Sequence, residues 1–267
     1  MYKHLKSLEI FQKVHHKKKL GQHFLVDQNL IDKLVKYIAP YKDDVLLEIG
    51  PGDGALSKSI IPLVKKFYLI EKDKDLLDEL YLLLQQNKNG EIINNDILKF
   101  NFASIQEKFR VIGNLPYNIS TEIIFMVCKV YNIIDIHFML QKEVVDRMIA
   151  NPNTKTYGRL SIMTQAYFHA TKLFDISEHV FIPKPKVKSS FIRLLPKEYI
   201  FDSKIHEQIF YNIVKKSFEG RRKMIRSSLS EYFKQKDYDI IKIDCKRRPE
   251  NLSINDYLLL SRYVYKN

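Results

Sequence analysis

Asn114-Leu115-Pro116-Tyr117 joins residue types that suit one kind of chemistry, alkylation of an amino group on a planar base. The exocyclic amine of adenine is a poor nucleophile, because its lone pair is delocalised into the ring. Two acceptors, the Asn114 side-chain oxygen and the Leu115 carbonyl, suit its two N–H groups and would turn that lone pair outward. Pro116 fixes φ and has no N–H, which holds the carbonyl in one direction. Tyr117 offers a face on which the base stacks, a contact worth ~1–3 kcal/mol. Such a scheme rests on positioning and charge stabilisation and needs no strong general base. No Pro-Cys pair occurs, which opposes cytosine C5 methylation by a thiolate nucleophile.

A second cluster lies upstream. Glu48-Ile49-Gly50-Pro51-Gly52-Asp53-Gly54 holds three of the chain's eight glycines. A strand ending in such a cluster brings backbone close to a ligand, where a Cβ would collide. Gly50, Gly52 and Ala55 also match the dinucleotide fingerprint, with Glu71 about 20 residues on for a ribose. A dehydrogenase is therefore a rival at this loop. Against it stand the Gly-x-Gly-x-Gly form and Glu48, a poor neighbour for pyrophosphate. A carboxylate there suits the positively charged end of S-adenosyl-L-methionine. Glu71 would then accept from ribose hydroxyls and Asp96 from the adenine amino group, at successive strand ends.

Alternating elements would position these groups. Apolar spacing predicts a helix over 28–39, ended by Pro40. Strands are expected at 45–49, 67–70, 91–93, 110–113 and 134–140, with helices over 57–66, 75–86, 104–108 and 121–131. That order predicts a parallel sheet covered by helices on both faces. Strands at 172–176 and 189–194 would complete it with an antiparallel edge. From about residue 198 only helical spacing recurs, which predicts a small helical domain.

Composition sets the class. Of 267 residues, 45% are hydrophobic, enough for a folded core. The 44 Lys and Arg against 31 Asp and Glu leave +13, which favours a polyanionic partner, nucleic acid or an acidic membrane surface. Residues 1–25 form a basic arm that includes His15 and His16. Cys128 and Cys245 are far apart and form no Cys/His cluster, so neither a metal site nor a disulfide framework is expected. No apolar run approaches the ~20 residues of a membrane helix, and no signal-peptide core is seen. A soluble, cytoplasmic protein is expected. His137, within an apolar strand, reads as a core residue.

Taken together, Lys19-Leu20-Gly21-Gln22-His23-Phe24-Leu25, the 48–54 loop, Asn95-Asp96 and Asn114-Leu115-Pro116-Tyr117-Asn118-Ile119-Ser120 resemble the ribosomal RNA adenine dimethylases. Within them the chain is most similar to the small-subunit (KsgA/RsmA) family, over about residues 17–263. The expected fold is α/β: a seven-stranded Rossmann-like class I methyltransferase domain over 1–197, then a small all-α RNA-binding domain over 198–267. The resemblance implies dimethylation of two adjacent adenosines in a hairpin loop near the 3′ end of small-subunit rRNA. It implies a 30S ribosomal subunit precursor as partner and a monomeric enzyme. Cofactor contacts are implied at His23, Leu25, Gly50, Glu71, Asp96 and Asn114. The family commonly has Asn where this chain has His23.

The same resemblance suggests Phe181, in Phe181-Ile182-Pro183-Lys184-Pro185-Lys186-Val187-Lys188-Ser189-Ser190, as a second stacking face beside Asn114, Leu115, Pro116 and Tyr117. A rigid connection with Phe181 in the core is the plainer alternative. Arg221, Arg222, Lys223 and Arg226 resemble the family's C-terminal signature and suggest a phosphate-binding helix face, extended by Lys246-Arg247-Arg248. Tyr157-Gly158-Arg159-Leu160-Ser161 resembles a further family segment. The macrolide-resistance 23S rRNA methylases share the catalytic motifs and are the nearest rival. A non-catalytic assembly factor is the rival from another class.

Overall fold

The structure, a computed structural model, describes residues 22–85, 87–220 and 223–267. Phe24–Leu25 (β1) precedes Gln28–Ile38 (α1), whose N-terminus is capped by the Asp27 carboxylate accepting from the Leu30 N–H. Ala39 then adopts φ 47° and Pro40 stops the helix, as the spacing predicts. Val45–Ile49 (β2), Ser57–Ile60 (α2), Lys66–Glu71 (β3), Leu77–Gln85 (α3), Gly90–Asn94 (β4) and Phe109–Asn114 (β5) follow. Next come Ser120–Val127 (α4), Ile133–Gln141 (β6), Lys142–Met148 (α5), Arg159–Tyr167 (α6), Phe168–Ile176 (β7), Phe181–Ile182 (β8) and Ser189–Pro196 (β9). Lys204–Glu219 (α7), Ile225–Ser228 (α8), Gln235–Ile241 (α9) and Ile254–Lys266 (α10) close the chain.

Seven strands form one sheet in the order β4-β3-β2-β5-β6-β9-β7. The pairs β2–β3, β3–β4, β2–β5 and β5–β6 are parallel. The chain steps outward from β2 through β3 to β4, then returns to the other side of β2 with β5. The crevice at that reversal, beyond the carboxyl ends of β2 and β5, is where open α/β sheets bind ligands. The α/β fold with a seven-stranded Rossmann-like sheet and a helical C-terminal region is therefore present.

Boundaries differ where local chemistry overrides spacing. The expected helix over 57–66 is broken into α2 and a 3-10 turn at Ile61–Leu63, because Pro62 cannot continue the α-helical hydrogen bonding. Residues 104–108 form no helix; only Phe102–Ser104 turns, capped by Asn101. β7 begins four residues earlier than expected. The pairing of β1 with β8, Phe24 opposite Ile182 and Leu25 opposite Phe181, was not anticipated.

Contacts divide the chain into two compact units. One takes in residues up to Met126, with Val130–Lys142 and Leu173–Arg193; the other takes in Val127–Lys129, Glu143–Lys172 and Leu194–Asn267. In the first unit Leu34, Ile38, Leu46, Ile60, Phe67, Leu69 and Leu80 make a continuous buried core that fixes the strands. Arg110 of β5 braces the opposite end of the sheet. Its guanidinium donates to Asp135 at 2.8 Å and to Asp44 at 2.7 Å, and it also donates to the carbonyls of Ile38 and Ala39. In the second unit Tyr157 is buried and donates to the Leu252 carbonyl at 3.0 Å. Ser161 accepts from the Gly158 N–H at 3.0 Å and donates to the Arg147 carbonyl at 2.6 Å. The 157–161 segment is thus a structural joint of that unit. Among the described residues, no helix is long and apolar enough to cross a membrane, and no group of three potential metal ligands occurs.

Candidate active site

The carboxyl ends of β2, β3, β4 and β5 converge on one cavity of about 180 Å³. A water needs ~10–15 Å³ of such space, so the cavity takes a metabolite, not a single ion. His23, Leu25, Gly50, Glu71, Asp96, Asn114, Leu115, Pro116 and Tyr117 all line it. Residues up to 94 apart in sequence, His23 and Tyr117, are thus brought to one wall by the sheet order.

Gly50, Gly52 and Gly54 all have positive φ, at 65°, 63° and 76°. The loop therefore needs glycine for its left-handed backbone, a second reason beside the close approach to a ligand expected of it. A Cβ on Gly50 would meet no protein atom within 4 Å. It would instead occupy cavity space. On Gly52 it would press the Phe24 ring at 3.2 Å. The Gly50 N–H donates to the Ile70 carbonyl at 2.9 Å, and the Gly52 N–H to Glu71 Oε2 at 3.2 Å.

The carboxylates differ in environment. Glu48 is buried and accepts from Ser57 Oγ. Burial raises its carboxyl to about 7; the Ser57 hydrogen bond opposes this, and Asp53 and Glu71 nearby add to it. Glu71 is also buried and raised by burial, although its oxygens accept the N–H groups of Asp73 and Gly52. Asp96 lies nearer solvent. Lys72, 2.8 Å away, holds its carboxyl below the ordinary range, and Leu98 N–H donates to it at 3.0 Å. Glu48 and Glu71 are thus shifted upward by burial, while Asp96 stays ionised at the rim.

At the β5 end, Asn114 Nδ2 donates to the His23 carbonyl at 2.8 Å. The Leu115 N–H donates to the Met139 carbonyl at 3.1 Å and its side chain is buried. The Tyr117 hydroxyl meets Ser189 Oγ at 2.7 Å, and burial raises its pKa. Gly113 is required by close approach: a Cβ there would lie 2.8 Å from the Ile49 carbonyl oxygen of β2.

Two expectations need correction. Phe181 does not line the cavity; it is 2% exposed and packs in the core with Leu25 and Phe191. Successive side chains of a strand point to opposite faces, so β8 turns Phe181 inward and Ile182 outward. The His23 ring engages the Pro183 carbonyl at 2.7 Å and the Tyr117 ring. In the C-terminal signature, Arg221 and Arg222 lie outside the described residues. Helix α8 starts only at Ile225, because Met224 is extended, so the longer helical face around Arg226 is not formed. Residues 19–21 of the first motif and His15 and His16 also lie outside the described residues.

Sequence reasoning missed Lys72, Gly113, Ser189 and Gln22, whose side chain donates to Asp73 at 3.1 Å. Lys72 is adjacent to Glu71 and Gly113 to Asn114, so proximity to a motif was the available signal. Ser189 lay in the quoted 181–190 loop, but only folding brings it to Tyr117.

The family model for ribosomal RNA adenine dimethylase matches residues 13–266. A curated relative named ribosomal RNA small subunit methyltransferase A, from Nitrosospira multiformis, is 39% identical over 92% of this chain and 95% of its own. One of the same name from Francisella tularensis subsp. novicida is 40% identical over 93% and 97%. A solved dimethyladenosine transferase from Plasmodium falciparum superposes with TM-score 0.75 at 26% identity, over 89% of this chain and 96% of that one. The 23S rRNA methyltransferase ErmE shares the fold, with TM-score 0.69 at 23% identity over 91% and 99%.

Proposed function

The chain belongs to the ribosomal RNA adenine dimethylase family, and from that membership we propose that it dimethylates N6 of two adjacent adenosines in the 3′-terminal hairpin loop of small-subunit rRNA. The substrate would be a 30S precursor, met in the cytoplasm. The methyltransferase domain would span residues 1–197 and an RNA-binding helical domain residues 198–267. The single observation that carries the chemistry is the convergence of Asn114, Leu115, Pro116 and Tyr117 with the carboxylate-lined glycine loop on one cavity.

The cavity fits S-adenosyl-L-methionine on its own chemistry. Gly50 leaves room that a Cβ would fill, and Glu48 offers a buried carboxyl for a cationic end. Glu71 would accept from the ribose hydroxyls, Asp96 from the adenine amino group, and His23, Leu25 and Asn114 would complete the contacts. The bound cofactor supplies an electrophilic methyl group on a cationic sulfur.

This chain's own residues act on the acceptor. Tyr117 stacks on the adenine, held by Ser189. Asn114 gives one Nδ2 hydrogen to the His23 carbonyl, so its Oδ1 is turned away from that carbonyl and serves as acceptor. Together with the Leu115 carbonyl it binds the N6 hydrogens and turns the nitrogen lone pair out of conjugation. For each methyl group gained, with the electron pair of the broken S–C bond left on the departing thioether, N6 releases one proton to water, twice per adenosine. Rate is supplied by alignment and by acceptors that stabilise charge growing on nitrogen.

Incubation with labelled S-adenosyl-L-methionine and under-methylated small or large ribosomal subunits tests the assignment. Label is expected in the small subunit as dimethyladenosine. Label confined to the large subunit would overturn the substrate, and no label in either would overturn the activity.

A further inference from the structure

We propose that Ser189 is a positioning residue for the methyl acceptor: it aims the Tyr117 ring by its hydroxyl and keeps that hydroxyl out of proton transfer. The inference rests on the reaction proposed above. Tyr117 lines the cavity, but its hydroxyl meets Ser189 Oγ at 2.7 Å. Ser189 is buried and does not line the cavity, so the phenol oxygen is drawn into the wall. The hydroxyl lies on the long axis of the ring. Anchoring it selects where that axis points, which rotation about Cα–Cβ would otherwise leave among several rotamers. The His23 ring lies against the same phenol, with centroids 5.3 Å apart and planes inclined by 32°, and limits its tilt.

The anchor is itself held. One residue before Ser189, the Lys188 carbonyl accepts from the Lys142 N–H at 2.9 Å. One residue after it, Ser190 Oγ donates to Asp175 at 2.6 Å, and Asp175 pairs with Lys142 at 3.3 Å. Lys142, just past β6, and Asp175 of β7 thus grip the start of β9 on either side of Ser189. A stacked base is placed only as well as the ring beneath it, and a small misplacement of a reacting group lowers rate steeply. Burial raises the Tyr117 pKa against the opposing Ser189 bond, so the phenol keeps its proton at neutral pH. Its oxygen is bound to Ser189 and its proton is retained, so the proton that N6 releases goes to water.

A double-mutant cycle tests the pair. Ser189→Ala, Tyr117→Phe and the double variant are assayed on under-methylated small subunits at saturating S-adenosyl-L-methionine. Each single change removes the same bond and should lower kcat/KM for the subunit by about three- to tenfold, the worth of one hydrogen bond. The double variant should lie within about twofold of either single variant, where independent effects would multiply. The pH profile of kcat should keep its shape in all three, since no catalytic proton passes through the phenol. Multiplying losses, no loss in Ser189→Ala, or a pH limb that disappears in Tyr117→Phe overturns the inference. Melting curves by circular dichroism show which variants fold. If Ser189→Ala does not, Ser189→Cys, whose thiol bonds only weakly, takes its place in the cycle. A wild-type chain that labels neither subunit removes the reaction itself, an outcome distinct from multiplying losses in an active enzyme.

Discussion

In the proposed reaction Asn114 serves the acceptor and Glu48 the cofactor, and each assignment yields a measurable consequence. Asn114→Ala removes the Oδ1 acceptor and should cut kcat by about a hundredfold or more, the scale of losing one charge-stabilising contact. Cofactor affinity, read by calorimetric titration, should change only a few-fold. Glu48 titrates near 7 because burial penalises its charged form. Below that pH the carboxyl is mostly neutral; above it the carboxylate attracts a cation. Affinity for the cationic cofactor should therefore rise with pH, by up to about tenfold per unit on the acid side of the pKa. Glu48→Gln keeps an acceptor for Ser57 and should flatten the profile; a slope unchanged in that variant would exclude Glu48 as its source.

The β2–β5 pair is the element on which the site depends. Both the glycine loop and Asn114 leave it at the carboxyl end, and Gly113 sets how closely the strands meet there. Gly113→Ala would place a methyl group against the Ile49 carbonyl, where backbone is the obstacle and no flexible side chain can yield. A loss of about 1–3 kcal/mol is expected from overpacking, seen as a lower denaturant midpoint, with activity falling further than stability. At the other end, Arg110→Met would leave Asp44 and Asp135 without their cation. Removing one partner of such a buried group costs about 3–5 kcal/mol. Strands β2, β3, β5 and β6 were legible because a buried parallel strand is a largely apolar run, whereas β4 has no buried residue and showed only Ile92-Ile93. The β1–β8 pair was not, since two residues carry no periodicity and the partners lie 156 or more positions apart.

Across the whole chain, the excess of +13 is the feature tied to an RNA substrate. In the helical unit, backbone hydrogen bonds from Ile225 to Arg247 (2.9 Å) and from Arg226 to Cys245 (3.2 Å) bring two basic segments side by side. Lys223, Arg226, Lys246 and Arg248 are exposed there. Arg226→Ala and Arg248→Ala should each reduce the slope of log affinity against log salt by about 0.7–0.9, the contribution of one phosphate contact. Filter binding to small-subunit RNA measures this, and cofactor affinity should not move. Slopes equal to wild type would place the RNA elsewhere.

The sequence by itself determined the α/β alternation, the glycine loop, the carboxylates at successive strand ends and the Asn114–Tyr117 tetrad. Each is written in contiguous residues whose local backbone preference or apolar period is readable without a partner. Only the tertiary structure decided which side chains face the cavity. Phe181 and Ile182 differ by one position, yet strand pairing sends the first into the core and the second outward. His23 turns toward Pro183 and Tyr117 because the chain returns there through β8, 160 residues later. The tetrad therefore carries the proposed chemistry of the acceptor. The fold states how Asn114 and Tyr117 are held, through long-range contacts whose geometry no local pattern encodes.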